Sequence, residues 1–195
     1  MRLLLKELGV MDNTQDQQRA VVTVKRFSLS FLVSGRLDAE YYQPKYDYLD
    51  MQLATIPTKR LGEVVKIQKS IEPGSEAYQE EGVPFVRVAD LSKFGLDSPS
   101  VRLDRKAFAT ALRPKKDTIL LSKDGSVGIA CKMDEDADVI TSGAILHLSV
   151  KDKDVLPDYL TLLLNSPIVR MQAERDAGGS IIQHWKPSEI AQVVI

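Results

Sequence analysis

The chain contains one cysteine, two histidines and one tryptophan among its 195 residues. A single cysteine, Cys131, excludes an internal disulfide and any zinc site that needs several cysteines. Its apolar neighbours favour a buried thiol over a reactive one. No apolar run approaches the roughly 18 residues that a membrane-spanning helix needs, and the N-terminus lacks the long apolar segment of a signal peptide. These absences predict a globular protein of the cytoplasm.

The chain also lacks a large excess of positive or negative charge, since its formal net charge is −1. This near-neutrality argues against a protein that binds polyanions over its whole surface. The charge is nevertheless uneven: the stretch 102–116 holds six basic residues and one acid, Asp104. Screening makes nearby charges dominate, so this stretch predicts a local basic face.

No catalytic constellation is visible. His147 lies in an apolar run and His184 is far from it in the chain, which gives little support for a zinc site. The glycines of 125–128 lack the lysine of a phosphate-binding loop and favour a tight turn. The tetrapeptide 165–168, Asn-Ser-Pro-Ile, matches the Asn-Pro-Pro-Tyr motif of adenine methyltransferases only in part. An enzyme is therefore not predicted.

The stretch 118–150 is the predicted centre of the fold. Apolar, β-branched runs alternate there with an Asp-Gly turn at 124–125 and an acidic turn at 134–138. We expect three or four adjacent strands in the middle of one sheet. The predicted fold class is mixed α/β, with a curved and largely antiparallel sheet and flanking helices.

Several other elements are predicted from periodicity and capping signals. Pro44 opens a helix to about Ala54 that places Tyr46, Leu49 and Leu53 on one face. Further helices are expected over 61–65, 104–112, 157–164, 167–178 and 187–191. Further strands are expected over 20–27, 66–68, 84–91 and from 193 onward, with 181–185 extended and 11–18 and 70–82 as loops.

Four tyrosines, at 41, 42, 46 and 48, cluster in the N-terminal part of the chain. They can fix this segment to the core with wet hydroxyl groups, since tyrosine is common in half-buried positions. They can also stack on a base or contact a phosphate.

Basic and amide side chains in loops beside a sheet suit a protein that reads a DNA groove. Lysine and arginine bind phosphates with release of counterions, and forked donors contact base edges. A solvated surface is the alternative for each such residue. The DNA-contact candidates are Lys66, Lys69, Arg87, Lys93, Arg113, Lys115, Lys116, Lys123 and His184.

Six segments of the chain carry a family resemblance through their order and spacing. They are LGEVVKI at 61–67, VPFVRVADL at 83–91, ILLSKDGSVGIA at 119–130, TSGAILHL at 141–148, PDYLTLLLNSP at 157–167 and GGSIIQHWKPSEIAQVVI at 178–195. Together they resemble the target-recognition domain of type I restriction–modification specificity subunits. The lead-in SGRLDAEYYQPKY at 34–46 also looks like that of these subunits, so the resemblance covers about 34–195. The order and spacing of the segments are more specific than any one of them.

The resemblance implies a non-catalytic component that directs methylation and restriction subunits to one half of a bipartite DNA site. It implies double-stranded DNA and those two subunits as partners, with a second specificity domain or a homodimer to complete recognition. S-adenosylmethionine, ATP and Mg are implied on the partner subunits, and no cofactor or metal in this chain. The alternative is a protein-interaction module, using the tyrosine-rich segment and the helices at 157–176, that docks a DNA methyltransferase subunit without binding DNA itself.

The resemblance also predicts the domain organisation. Residues 1–56 form a lead-in segment with a strand and a helix, and 57–195 form the DNA target-recognition domain. Such subunits continue into a spacer helix, and the sequence stops at Ile195, before it. If the basic stretch contacts DNA, replacing Lys115 and Lys116 together by alanine weakens binding to all sequences and flattens its salt dependence.

Overall fold

The computed structural model describes residues 24–177 and 183–195. The predicted loop over 11–18 lies outside them, as do parts of the predicted segments over 20–27 and 181–185 and the predicted helix end at 178–179. The described part of the first segment, 24–27, contains no strand. Val24 is 90% exposed there, and a 3₁₀ turn, Phe27–Leu29, begins instead.

The described residues contain six α-helices and nine short strands, joined by turns and loops. Proline occupies the first turn of four of the helices, where its missing N–H costs nothing. The helices are α1 (Phe31–Ser34), α2 (Pro44–Leu53), α3 (Leu61–Val64), α4 (Pro157–Leu164), α5 (Pro167–Asp176) and α6 (Pro187–Ile190). The strands are β1 (Val65–Lys69), β2 (Val83–Val86), β3 (Leu91–Ser92), β4 (Gly95–Leu96), β5 (Arg102–Leu103), β6 (Ile119–Ser122), β7 (Ala130–Lys132), β8 (Ile140–Thr141) and β9 (Ile145–Val150).

The main sheet has the order β1-β9-β6-β7, and all of its pairs are antiparallel. Successive side chains along each strand point to opposite faces of this sheet, as in any pleated strand. Ile119 and Leu121 pack with Leu160 and Val169 from the helices, whereas Leu120 packs with Leu91 on the opposite face. The sheet is therefore covered on both sides, which confirms the mixed α/β class and the central place of 118–150.

The prediction of one sheet is wrong in detail. The strand β8 leaves the main sheet and pairs in parallel with β2, which also pairs with β5 to give a three-stranded sheet. The predicted strand over 84–91 ends at Val86, because the Arg87 backbone N–H donates to the Asp90 carboxylate and starts a 3₁₀ turn. A separate two-stranded ribbon, β3–β4, follows it.

The predicted helix over 104–112 is also wrong, because this segment forms a series of turns. Asp104 does cap, since its carboxylate accepts hydrogen bonds from the backbone N–H groups of Lys106 and Ala107. The Arg113 guanidinium, however, donates to the carbonyl oxygens of Phe108 and Ala111. The backbone N–H groups of Ala109 and Ala111 donate to the carbonyl oxygens three residues earlier, which is the spacing of turns and not of an α-helix.

The backbone at 59–61 is hydrogen-bonded to the backbone at 193–195. The backbone of Lys59 exchanges two hydrogen bonds with that of Ile195, each 2.9 Å long, and the Leu61 N–H donates to the Val193 carbonyl oxygen. The predicted strand from 193 onward is thus present as a bridge to 59–61. The helix α2, confirmed with Tyr46, Leu49 and Leu53 buried, packs on α5.

None of the helices within 24–177 and 183–195 has the length and apolar character needed to cross a bilayer.

Candidate nucleic-acid interface

The nine predicted contact residues fall into four places on the surface. Lys66 and Lys69 lie on β1, an edge strand of the main sheet. Arg87 and Lys93 flank the first strand of the ribbon. The other two places are the basic loop (102–116), which holds Arg113, Lys115 and Lys116, and the β6–β7 turn, which holds Lys123 and meets His184.

The basic loop lies against the acidic turn (134–138). Asp138 accepts hydrogen bonds from Arg105 at 2.6 Å and from Arg113 at 3.0 Å, and Asp136 pairs with Lys115 at 3.0 Å. The Arg105 and Arg113 guanidiniums hold the pKa of the Asp138 carboxyl below its usual value. Much of the positive charge that the sequence places here is therefore neutralised within the fold.

The three predicted residues of the basic loop differ in what their side chains do. The Arg113 side chain is only 19% exposed and binds two carbonyl oxygens, so its contacts stabilise the loop. The Lys115 side chain is 71% exposed, but its charge is matched by Asp136. Lys116 is exposed and has no ion pair with another described residue, so its charge faces solvent.

The β6–β7 turn brings Lys123 and His184 together although they are distant in sequence. Asp124 binds the Lys123 ammonium with one carboxylate oxygen and the His184 Nδ1, at 2.9 Å, with the other. The Trp185 N–H donates to the Lys123 carbonyl oxygen, and the Gly125 N–H donates to that of Gln183. Gly125 has a φ of +71°, which glycine adopts readily.

This turn places only one of its two candidates in the open. The Lys123 side chain is 13% exposed and is neutralised by Asp124. His184 is 65% exposed and can present its second ring nitrogen to a ligand.

The ribbon β3–β4 carries an exposed aromatic tip that the list of basic candidates missed. Phe94 is 87% exposed, and the Lys93 ammonium lies 4.9 Å from the centre of its ring. The signal in the sequence was an apolar residue inside a turn, Ser-Lys-Phe-Gly at 92–95. Beside the tip lies an open groove of about 750 Å³ that extends to the corner between α4 and α5.

The edge strand β1 presents its lysines without a neutralising partner. Lys66 and Lys69 are exposed and make no ion pair with any other described residue. Lys69 also lines a second cleft, of about 280 Å³, whose opposite wall is the part of the basic loop from Ala107 to Leu112. Two cationic side chains of β1 therefore remain available to an anionic ligand.

The buried histidine and the cysteine have no features of a reactive site. His147 is 2% exposed and shares a 2.8 Å hydrogen bond with the Thr141 hydroxyl. Burial lowers its pKa to about 4, so the ring is neutral at physiological pH. Burial also raises the pKa of the Cys131 thiol. Within 24–177 and 183–195, no three His, Cys, Asp or Glu side chains form a metal-binding group.

The partial match to a methyltransferase tetrapeptide has a structural explanation. The Asn165 side-chain amide donates to the Ala130 carbonyl oxygen at 2.8 Å and accepts from the Ala130 N–H at 3.2 Å. Ala130 begins the outer edge strand, β7. The amide thus pairs with the open sheet edge as another strand would, and Ser166 caps α5 by accepting from the Val169 N–H.

Solved structures share this fold at low sequence identity. The S subunit of a type I restriction–modification system from M. genitalium is 18% identical with a TM-score of 0.52, over 71% of this chain and 33% of that one. The HsdS subunit from Thermoanaerobacter tengcongensis is 17% identical with a TM-score of 0.52, over 76% and 38%. A structure concerned with complex assembly and conformational transition of the type I R-M system is 16% identical with a TM-score of 0.53, over 100% and 46%.

The chain therefore spans between one third and one half of these structures. No curated protein sequence matches it. The family model of the type I restriction modification DNA specificity domain matches residues 55–192, which is most of the chain. The order of elements, the covered sheet and this match agree, and the chain belongs to the family of type I restriction–modification DNA specificity domains.

Proposed function

We propose that this chain recognises a DNA sequence and directs the methylation and restriction subunits of a type I system to one half of a bipartite site. The observation that carries the proposal is the match to the DNA specificity domain over 55–192, which includes all nine strands. The proposed domain organisation follows: 57–195 forms the target-recognition domain and 1–56 the lead-in segment.

Recognition in this proposal combines phosphate anchoring with contacts to base edges. The exposed, unneutralised side chains of Lys66, Lys69, Lys93 and Lys116 serve as anchors, because a free ammonium displaces counterions from DNA. A sheet packed on both faces is a rigid support for the loops and the ribbon that carry these side chains.

The chemistry belongs to other subunits in this proposal. S-adenosylmethionine, ATP and Mg are bound by the methylation and restriction subunits, and this chain holds no cofactor of its own. The neutral, hydrogen-bonded His147 and the buried Cys131 are consistent with such a role. The protein works in the cytoplasm, where it meets double-stranded DNA.

The outer face of α4 supports an additional contact with a protein partner. Leu156, Tyr159 and Leu162 are 69%, 57% and 52% exposed and lie on or beside one helix. Clustered exposed apolar side chains are typical of interaction surfaces. We assign this face to a methylation subunit, while a second specificity domain or a homodimer completes the bipartite site.

Selection of duplexes from a random pool by the full 195-residue chain tests DNA recognition. We expect a short consensus that binds on the order of 100-fold more tightly than scrambled duplexes. This ratio is below the usual range for complete specific complexes, because one domain reads only one half-site. The variant Lys69→Ala weakens binding to the consensus and to scrambled duplexes by the same factor. The control is Lys153→Ala, which removes an exposed lysine from the loop between β9 and α4. Equal affinity of the wild type for all duplexes contradicts the proposal and favours the interaction-module alternative.

A further inference from the structure

The tip of the β3–β4 ribbon is the one place where a large aromatic ring is almost fully exposed among the described residues. Phe94 is 87% exposed, whereas the next most exposed aromatic side chain, Phe27, is 59% exposed and stacks on Phe31. An exposed phenylalanine contributes little to folding, since burial is what makes an apolar ring stabilising. The ring at this position therefore has no evident task in the isolated fold.

The base of the ribbon is anchored, in contrast to its tip. Leu91 is 4% exposed and Leu96 is partly buried, and both pack against the outer face of the main sheet. Leu91 pairs with Leu96 and Ser92 pairs with Gly95, so the ribbon has a defined register. It stands as a fixed projection and not as a loose loop.

The turn itself is ordered by local hydrogen bonds. The Ser92 hydroxyl donates to the Gly95 carbonyl oxygen at 3.1 Å and accepts from the Phe94 N–H at 3.2 Å. Gly95 has a φ of +151°, which residues with a side chain rarely adopt. These contacts hold the Phe94 ring outward beside the Lys93 ammonium.

The two-stranded form and the chemistry of this projection are compatible with the major groove of duplex DNA. A two-stranded ribbon is among the elements that the groove, about 12 Å wide, admits. The tip carries one cation, Lys93, while the acids nearest to it in sequence are Asp90 and Asp97 at the base of the ribbon, where Asp90 pairs with Arg87. The open groove of about 750 Å³ beside the tip leaves room for the flanking DNA strand.

We infer that Phe94 is a specificity-determining residue that contacts the C5-methyl group of a thymine in the major groove, with Lys93 on a neighbouring phosphate. This inference rests on the proposed DNA recognition. Among the base edges of unmodified DNA, only thymine presents a methyl group in the major groove, and apolar side chains are its usual contacts. An aromatic ring held outward by a rigid turn is suited to such a contact and to no hydrogen bond.

Replacement of single thymines by uracil tests the inference, since this removes the methyl group and leaves all hydrogen-bonding groups in place. The full chain first selects its consensus duplex, and each thymine is then replaced in turn. We expect one replacement to weaken wild-type binding about fourfold, the affinity equivalent of one buried methyl group. The variant Phe94→Ala binds the thymine duplex about fourfold more weakly and loses nothing further with uracil at that position.

Two further variants separate this contact from a general effect. Phe94→Leu retains an apolar side chain and keeps a preference for thymine over uracil. Phe27→Ala, which removes the next most exposed aromatic ring and lies outside the segment matched by the family model, leaves the preference unchanged. A consensus without thymine, or a thymine preference that survives in Phe94→Ala, overturns the inference while the proposed function stands. A wild type that selects no consensus overturns both.

Discussion

The basic loop and the ribbon both carry cations that a sequence-based search selects, but the fold uses them differently. In the basic loop, Arg105, Arg113 and Lys115 are matched by acids of the turn at 134–138. On the ribbon, the Lys93 ammonium touches only the Phe94 ring among the contacts of the described residues. The comparison teaches that a high local density of basic residues need not give a cationic surface, whereas a single lysine on a projection can remain available.

The largest expected effect separates folding from DNA binding at Arg113. Its guanidinium binds Asp138 and the carbonyl oxygens of Phe108 and Ala111. Arg113→Ala removes all three contacts and takes from the Ala111 carbonyl oxygen the donor that it has in the fold. We expect the free energy of unfolding to fall by about 2 kcal/mol. Urea denaturation measures this change, and the salt dependence of DNA binding by the folded variant is expected to stay as in the wild type.

The matched control for this change is Arg105→Ala. The Arg105 side chain is 60% exposed and pairs with the same carboxylate, Asp138, without binding a carbonyl oxygen. Exposed pairs of this kind contribute little, so we expect a much smaller loss than in Arg113→Ala. Equal losses in the two variants contradict a structural role for Arg113.

A second effect, of similar size, distinguishes the buried histidine from the surface ion pairs. Burial lowers the pKa of His147 to about 4, whereas a histidine in the unfolded chain has its usual pKa near 6.5. Between these two pH values the unfolded chain binds a proton at this residue and the folded chain does not. Stability from this group is therefore lost as the pH falls. Between pH 7 and pH 5 the free energy of unfolding decreases by about 2 kcal/mol.

Denaturation at both pH values, with His147→Gln as comparison, measures this dependence. The ion pairs of the basic loop stay intact over the same window, since the pKa values of Asp136 and Asp138 are lowered and their contributions are lost only under more acidic conditions. A variant without His147 that shows the same pH dependence as the wild type refutes the assignment.

The smallest expected effect compares two adjacent lysines in the salt dependence of DNA binding. Lys116 has no ion pair in the described structure, so Lys116→Ala reduces the slope of log K against log salt by about 0.9 if it contacts one phosphate. Lys115 already pairs with Asp136, so Lys115→Ala changes the slope less. DNA titrations of both variants at several salt concentrations measure the two slopes. Equal slopes would contradict the expected difference between Lys115 and Lys116.

Local signals were sufficient for much of the fold. Prolines at 44, 157, 167 and 187 begin four helices as predicted, and the Asp-Gly turn joins β6 to β7. Such signals act through neighbouring residues, so they can be read from the sequence. The failures came from contacts over longer distances, as when β8 pairs with β2 through Ile140 and Phe85 and does not join the main sheet.

The candidate site was less accessible from the sequence for the same reason. Arg113 and Asp138 are 25 positions apart, and Asp124 and His184 are 60 positions apart, so no local pattern announces these pairs. The basic stretch 102–116 selected Arg113 and Lys115, and a position at the entry of a turn selected Lys123. Neither signal showed that each of these residues has an acidic partner in the fold. Counting basic residues also passed over Phe94, whose exposure depends on how the ribbon projects.

The hydrogen bonds between Lys59 and Ile195 have a consequence for how such units change over time. A folded body whose first and last backbone segments are neighbours can be exchanged as one cassette, because its two junctions stay close together. Exchange of the residues between these two junctions would replace the main sheet, the ribbon and the basic loop in a single step.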